Sequence, residues 1–375
     1  MTDRSFRTIS WRRIVGEIHL WAGLLLCLPL ILLGVTGTIL VGADHLGGPV
    51  KDPARQTAGA AVHSVGEIIE AARAAAPDGF IASLYAAPPE PGEPASIRLQ
   101  SAAGRGTPPI RMEIDGATLT PVTRPEGTAL RWLHMLHANL LMGEDGRHIV
   151  GWFGLVMLTL GISGLINWWP RRNRWRAALT MRRGLRGAAF HRALHGVVGI
   201  WTLIVFLAVG FSGVALAFPQ TMRDLVDVFS PARDLRALAG AIRVQPIPGS
   251  RPITVDEAIT LAMTAIPDGR LASVALPLRP DQPFRIGLLP SGGLQGSPQI
   301  GVFIDPWRRD VVTVLDPRDF SAGESLLAWQ HALHSARGLG GAWTTLVFLS
   351  GGLPLLFSVT GVALWWIKRA KKTAR

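Results

Sequence analysis

The chain has 375 residues, of which 48% are apolar and only 17% charged, yet its formal net charge is +12. The apolar share excludes a disordered tail, and the single cysteine, Cys27, excludes a disulfide scaffold. Lys and Arg fall in short runs beside long apolar stretches, not in one folded patch; this is the membrane pattern, and it leaves no need for a nucleic-acid partner.

Four stretches reach the about 20 apolar residues that a bilayer span needs. The first, Ile14–Val41, follows Arg4, Arg7, Arg12 and Arg13. It is too long for a signal-peptide core of about 7–15 residues and reads as a retained span within 1–42. A polar segment, 43–125, comes next. There Ser64–Ala76 has helical spacing, with Ser64 and Glu67 in capping-box positions and Pro77-Asp78-Gly79 as the stop. Alternation over Ile81–Tyr85, Ile97–Gln100 and Ile110–Ile114 predicts strands. Segment 126–147 predicts a short helix bearing His134 and His137, with a break at Gly143-Glu-Asp-Gly146. The second span, Ile149–Trp169 in segment 148–170, precedes a basic loop, 171–188. The third span, Ala193–Phe218, occupies 189–218. The second polar segment, 219–322, repeats the helix with Thr254 and Glu257 as its capping box. Strands follow at Val274–Leu278, Arg285–Leu289 and Gly301–Asp305. A second short helix, 323–340, bears His331 and His334 and ends at Gly338-Leu-Gly-Gly341. Segment 341–375 holds the fourth span, Ala342–Ile367, and a basic tail.

Charge orients this arrangement. Residues 171–187 hold seven Arg and no acid, and the tail carries Lys368, Arg369, Lys371, Lys372 and Arg375. Segment 43–147 has nine basic and twelve acidic residues, and segment 219–340 has twelve of each. Every positive excess therefore lies on one side of four spans, which predicts cytoplasmic termini and two outside segments.

The chain also reads as a tandem repeat. His19, Gly34, Thr36 and Gly37 match His195, Gly210, Ser212 and Gly213, each 176 residues on. Ser64, Glu67 and Asp115 match Thr254, Glu257 and Asp305 at an offset of 190. His134, His137, Ser163, Gly164 and Trp168 match His331, His334, Thr360, Gly361 and Trp365 at 197. A span–domain–span unit written twice in one orientation predicts a pseudo-twofold axis along the membrane normal, with equivalent residues facing each other.

Six of the ten histidines obey this repeat. Neutral imidazole is a common metal ligand, and haem iron takes axial His. Two His on one helix face cannot take opposite sides of one haem, so trans ligands must come from the two copies. His19 with His195 would clamp one iron near the inner surface, and His137 with His334, or His134 with His331, another near the outer. Gly23 and Gly199 would leave room for a flat porphyrin. From His137 to Trp168 is about 46 Å if helical, against a hydrocarbon core of about 30 Å, so His137 must stand at the outer interface. Arg131, Arg147 and Arg337 are candidates for haem propionates there, as are Arg12, Arg13 and Arg192 on the inner side. His191 aligns with Val15 and is a weaker candidate contact. His45, His63 and His148 have no symmetric partner and read as surface residues. The Trp-Trp pairs read as interface anchors, and the Gly-x-Thr/Ser-Gly steps as helix-packing positions. No Cys-x-x-Cys-His is present, so the haem would be non-covalent, b-type. Zinc-protease, P-loop and dinucleotide motifs are absent as well.

Several stretches resemble the PepSY-associated transmembrane family: Arg-Ile-Val-Gly-Glu-Ile-His19-Leu-Trp-Ala-Gly, Leu-His137-Ala-Asn-Leu-Leu-Met-Gly-Glu-Asp-Gly-Arg, Gly-Leu-Ile-Asn-Trp168-Trp169-Pro-Arg-Arg, and Leu-His334-Ser-Ala-Arg with Val-Thr-Gly361. The outside segments resemble PepSY domains. The resemblance implies an α-helical membrane protein: four transmembrane helices from a tandem parallel repeat, with two small periplasmic α+β domains. It also implies a place in the bacterial inner membrane and two b-type haems on His19, His195, His137 and His334. The implied activity passes electrons from a quinone or a cytoplasmic reductase to a periplasmic ferric siderophore or other ferric chelate. Two other readings stand beside it: a haem-free PepSY-type regulatory or binding protein, and an electron-transfer subunit with a protein acceptor.

Overall fold

The computed structural model describes residues 10–46, 63–88, 92–104, 107, 109–122, 128–294 and 296–373. Arg4 and Arg7, and the side chain of His45, lie outside the described residues. The chain opens with helices α1 (Trp11–Leu25), α2 (Cys27–Leu46) and α3 (Val65–Ala74), then strands β1 (Phe80–Ala86), β2 (Ala95–Ser101), β3 (Ile110–Ile114) and β4 (Pro121–Val122). Helices α4 (Thr128–Asn139), α5 (Gly143–Trp168), α6 (Trp175–Leu179), α7 (Gly187–Ala217), α8 (Pro219–Asp227), α9 (Leu235–Ala241) and α10 (Val255–Ala265) follow. Strands β5 (Arg270–Ala275), β6 (Phe284–Leu289), β7 (Ile300–Asp305) and β8 (Asp310–Leu315) lead to α11 (Ala322–His334), α12 (Gly340–Ser350) and α13 (Leu353–Thr373). These form two compact units, one of residues 1–46, 127–222 and 333–375, the other of 47–126 and 223–332.

The first unit is helical. Gly143–Trp168, Gly187–Ala217 and Gly340–Lys371 are long and apolar enough to cross a membrane, and α1 with α2 makes a fourth if the bent pair is one span. That pair bends by 65°. Pro29 supplies the reason: it has no N–H, and its ring clashes with the carbonyl a turn back, so α2 starts afresh at Cys27 with Pro29 in its first turn. The last span is likewise interrupted at Gly351-Gly352, just before Pro354. Gly34 and Gly351 touch through their backbones there, and a Cβ on either would collide with the other helix. Small residues carry this packing. The buried positions of α5 are Gly146, Gly151, Gly161 and Ser163, which bring helix axes close where no water drives association.

The turns before α5 and α12 correct one sequence expectation. The break falls at Leu140–Met142, ahead of Gly143 to Gly146, which already belong to α5. Leu140 and Leu141 adopt φ of 52° and 61°, and Gly146 packs against the Asn139 carbonyl, where any side chain would collide. Gly146 thus lets the end of α4 dock, where the sequence suggested that it broke the chain.

The second unit is one antiparallel eight-stranded sheet in the order β4-β3-β2-β1-β5-β6-β7-β8. Two separate small domains were expected; instead β1 and β5 pair, with Tyr85 opposite Val274, and the two four-stranded halves share one sheet. Both capping boxes form as read: Ser64 with Glu67, and Thr254 with Glu257. Helices α3 and α10 cover one core in which Ile69, Ile97, Leu99, Ile286, Leu288, Ile300, Val302 and Ile304 are fully buried. They also meet directly, the Gly66 N–H donating to the Asp256 carboxylate at 3.0 Å. The sequence expectations contained neither β4 nor β8, since the apolar residues of β8 include the exposed Val311 and Val312 of an edge strand.

Candidate functional site

Four histidines meet in two pairs, all within the helical unit. His19 on α1 and His195 on α7 have ring centroids 6.2 Å apart. His137 on α4 and His334 at the end of α11 are 6.0 Å apart. An imidazole–metal bond is about 2.0 Å and the ring centre lies roughly 1.1 Å beyond the nitrogen, so two imidazoles opposed on one metal stand about 6.2 Å between centroids. Both pairs match that spacing.

Each ring is held from behind in one way. His19 Nδ1 lies 2.9 Å from Ser163 Oγ, His195 Nδ1 2.8 Å from Thr360 Oγ1, His137 Nδ1 2.9 Å from Thr36 Oγ1, and His334 Nδ1 3.1 Å from Ser212 Oγ. The residue after each hydroxyl is glycine. A Cβ there would stand 3.3 Å from His19 Cε1 at Gly164, 3.1 Å from His137 Cε1 at Gly37, and 3.1 Å from His334 Cε1 at Gly213. At Gly361 the distance to His195 Cε1 is 3.9 Å. By sequence the Gly-x-Thr/Ser-Gly steps at 34–37 and 210–213 read as packing positions. They are where the histidines dock, and their retention at the same offsets as the histidines was the available signal.

The His19/His195 pair opens into an apolar cleft with about 160 Å³ of free volume, open at the side. Gly23, Gly161, Gly164, Gly196, Gly199 and Gly361 line it among Leu, Phe and Trp side chains, and at Gly23 and Gly199 a flat ring can approach the backbone. Phe357 packs on His195 at 5.0 Å and Phe206 on Phe357 at 6.0 Å, keeping the space dry. Among the described residues no three His, Cys, Asp or Glu side chains converge as a metal site. Two imidazoles alone hold a bare ion poorly. They supply what an iron porphyrin lacks, its two axial positions, so this donor set fits haem.

A family model for the PepSY-associated TM region matches residues 17–368. The chain belongs to that family. An uncharacterised Pseudomonas aeruginosa protein is 41% identical to it over 134 residues, 30% of this chain and 32% of that protein. The match thus spans about a third of the relative's length. The family region contains both histidine pairs and their hydroxyl partners.

The other candidates in this PepSY-associated transmembrane chain fall elsewhere. His134 and His331 are exposed, one turn from the paired His137 and His334. The inward pair is therefore His137 with His334. His191 sits one turn before His195 with its Nδ1 buried and without a hydrogen-bond partner. His148 is exposed and stacks on Phe218 at 5.6 Å, and His63 meets Glu67 at 3.2 Å. Of the arginines, Arg147 is tied to Glu144 at 2.8 Å, and Arg12 lies over Trp11 at 5.6 Å. Arg192 lines a second, more open cleft that shares Trp168 and Gly196 with the first. Arg13, Arg131 and Arg337 are exposed.

Proposed function

We propose that the chain is a di-haem b membrane reductase built from a duplicated span–domain–span unit, passing electrons across the bacterial inner membrane to a periplasmic ferric siderophore or similar ferric chelate. The observation that carries the reading is the paired histidines at bis-imidazole spacing, twice in one helical unit. Bound haem supplies one-electron exchange between ferric and ferrous iron. The four histidines would hold the iron, and at the His19/His195 cleft Gly23 and Gly199 would leave room for the ring while Phe206 and Phe357 exclude water. His195 and Ser212 share α7, and at about 1.5 Å per residue they stand roughly 26 Å apart along its axis. The two sites are thus separated by nearly the thickness of the hydrocarbon core, about 30 Å.

Three further features support the direction and the duplication. The basic loop 171–187 and the basic tail set the inner face, which puts the His19/His195 pair on the side of a quinone or cytoplasmic donor and the sheet unit outside. The four histidine–hydroxyl contacts obey the repeat offsets, and the sheet is symmetric in strand order about the β1–β5 junction. Hard oxygen ligands of a ferric chelate hold ferrous iron weakly, so one electron per iron releases the metal. Arg192, exposed and lining one cleft with Trp168 and Gly196, would be the contact for an inner-side haem propionate.

The test is a visible spectrum of the purified full chain, oxidised and dithionite-reduced, with haem quantified, followed by mixing the reduced protein with a ferric hydroxamate or catecholate chelate. Two low-spin b-type haems per chain and reoxidation by the chelate are expected. A chain without haem overturns the reading and returns the haem-free binding protein. Haem without chelate reduction points to a protein acceptor.

A further inference from the structure

Each of the four hydroxyls against a histidine has one proton to give. In each case that proton is already directed to a carbonyl of the hydroxyl's own helix. Thr36 Oγ1 donates to Leu32 O at 2.7 Å, Ser163 Oγ to Thr159 O at 2.6 Å, Ser212 Oγ to Val209 O at 3.0 Å, and Thr360 Oγ1 to Leu356 O at 2.8 Å. Ser and Thr in apolar helices commonly bond back to the preceding turn in this way. With its proton so directed, the oxygen offers a lone pair to the imidazole, which assigns the hydrogen to Nδ1. His334 gives an independent check. Its Nδ1 is also 3.1 Å from the Val209 carbonyl oxygen, which can only accept. A neutral imidazole has one N–H, so Nε2 in all four rings keeps a bare lone pair, the state in which it ligates a metal.

The adjoining glycine completes the device. With no side chain on Gly37, Gly164 or Gly213, the Cε1 edge of the ring drops against the helix, and its rotation is limited by backbone on one side and the hydroxyl on the other. His148 and His63, outside the pairs, rest instead on Phe218 and Glu67.

We propose that the four steps Thr36-Gly37, Ser163-Gly164, Ser212-Gly213 and Thr360-Gly361 are histidine seats, positioning residues that fix each paired imidazole as the Nδ1–H tautomer and leave Nε2 as the ligand nitrogen. The inference rests on the di-haem reading and adds four hydroxyls to it. Outer partners of a metal-bound histidine fix its tautomer and raise its basicity, and their loss costs about 10–100-fold in metal affinity. Each seat serves one site: Thr36 and Ser212 the His137/His334 pair, Ser163 and Thr360 the His19/His195 pair.

The experiment compares Thr36→Val, Thr36→Ser, Thr360→Val and Thr360→Ser with the parent in the full chain, purified in detergent. Readouts are haem affinity by titration of the haem-stripped protein with haemin, the low-spin spectrum, and a redox titration resolving two midpoints. Each Val variant is expected to lose about 10–100-fold in affinity at one site and to move one midpoint, leaving the other in place. Each Ser variant, which restores the acceptor oxygen, is expected to recover the parent's values. Val variants that match a haem-loaded parent in all three readouts overturn the seats and leave the di-haem reading standing. So do Ser variants as damaged as Val, since the hydroxyl is then not the cause. A parent that binds no haem overturns both.

Discussion

The two units of this chain are packed inside out relative to each other. In the sheet unit most buried positions are large aliphatics, and twenty residues from Ile68 to Ile304 form one continuous core. In the helical unit the buried positions of α5 are three glycines and a serine, whereas Ile204 is 81% exposed, Leu28 74% and Trp201 70%. Water expels apolar surface, so the sheet unit closes around its isoleucines. Lipid does not expel it, so helices associate by close backbone approach and by polar side chains that must find partners. The histidine pairs belong to the second kind of interior. Their rings fill gaps that glycines leave open, and their Nδ1 atoms meet hydroxyls from neighbouring helices.

The sharpest break in that comparison is expected at the rings themselves. On the proposed di-haem reading, His195→Ala and His334→Ala should each cost one haem completely and leave the other, read by pyridine haemochrome and by the number of midpoints in a redox titration. Loss of both haems from either variant would mean that the pairs are not independent sites. Next in size is a matched substitution. Ile286→Ala in the sheet core should cost about 2–5 kcal/mol, whereas Ile204→Ala on α7 should stay within about 0.5 kcal/mol, followed by thermal unfolding of the full chain in lipid nanodiscs. Equal costs would contradict the inside-out packing.

A smaller effect tests the seats sterically. Gly37→Ala and Gly213→Ala put a Cβ 3.1 Å from a ring carbon and should cost about 1–3 kcal/mol with displaced low-spin bands, while Gly361→Ala, at 3.9 Å, should resemble the parent. Indistinguishable spectra across the three would remove the glycines from the argument. An effect of similar size is expected in the sheet unit. Glu324 is 2% exposed, and hydrogen bonds from the Arg233 guanidinium hold its carboxyl below the usual range. A carboxyl lowered on folding stabilises the fold above its unfolded pKa, and that stabilisation is lost as pH falls through the folded value. Glu324→Gln should therefore lower the melting temperature of the full chain at neutral pH by the equivalent of about 1–3 kcal/mol and flatten its acid limb. An acid limb as steep as the parent's would assign the pH dependence to other carboxylates.

Local patterns were legible in the sequence because each has its own period or chemistry. Ser64 with Glu67 and Thr254 with Glu257 cap helices over three residues, and both boxes form. The spans followed from apolar length, and six histidines, the four central ones among them, from their recurrence at fixed offsets. Pro29 was equally visible, yet the 65° bend depends on whether neighbours tolerate a straight helix, and α2 instead packs its Gly34 against Gly351. The single sheet was not legible either, because β1 and β5 are separated by most of the helical unit's sequence and nothing in either strand names its partner.

By itself, then, the sequence determined that the chain has apolar spans, a polar α+β portion and paired histidines, because composition and periodicity act over a few residues. Only the tertiary structure decided that His137 and His334 turn inward while His134 and His331 turn out, and that Thr36, Ser163, Ser212 and Thr360 stand behind the rings. Those contacts join residues 101 to 165 positions apart, and they depend on which face of one helix meets which face of another. Spacing along the chain puts a side chain on a helix face, but the rotation of that helix in its bundle is set by the sum of its packing contacts.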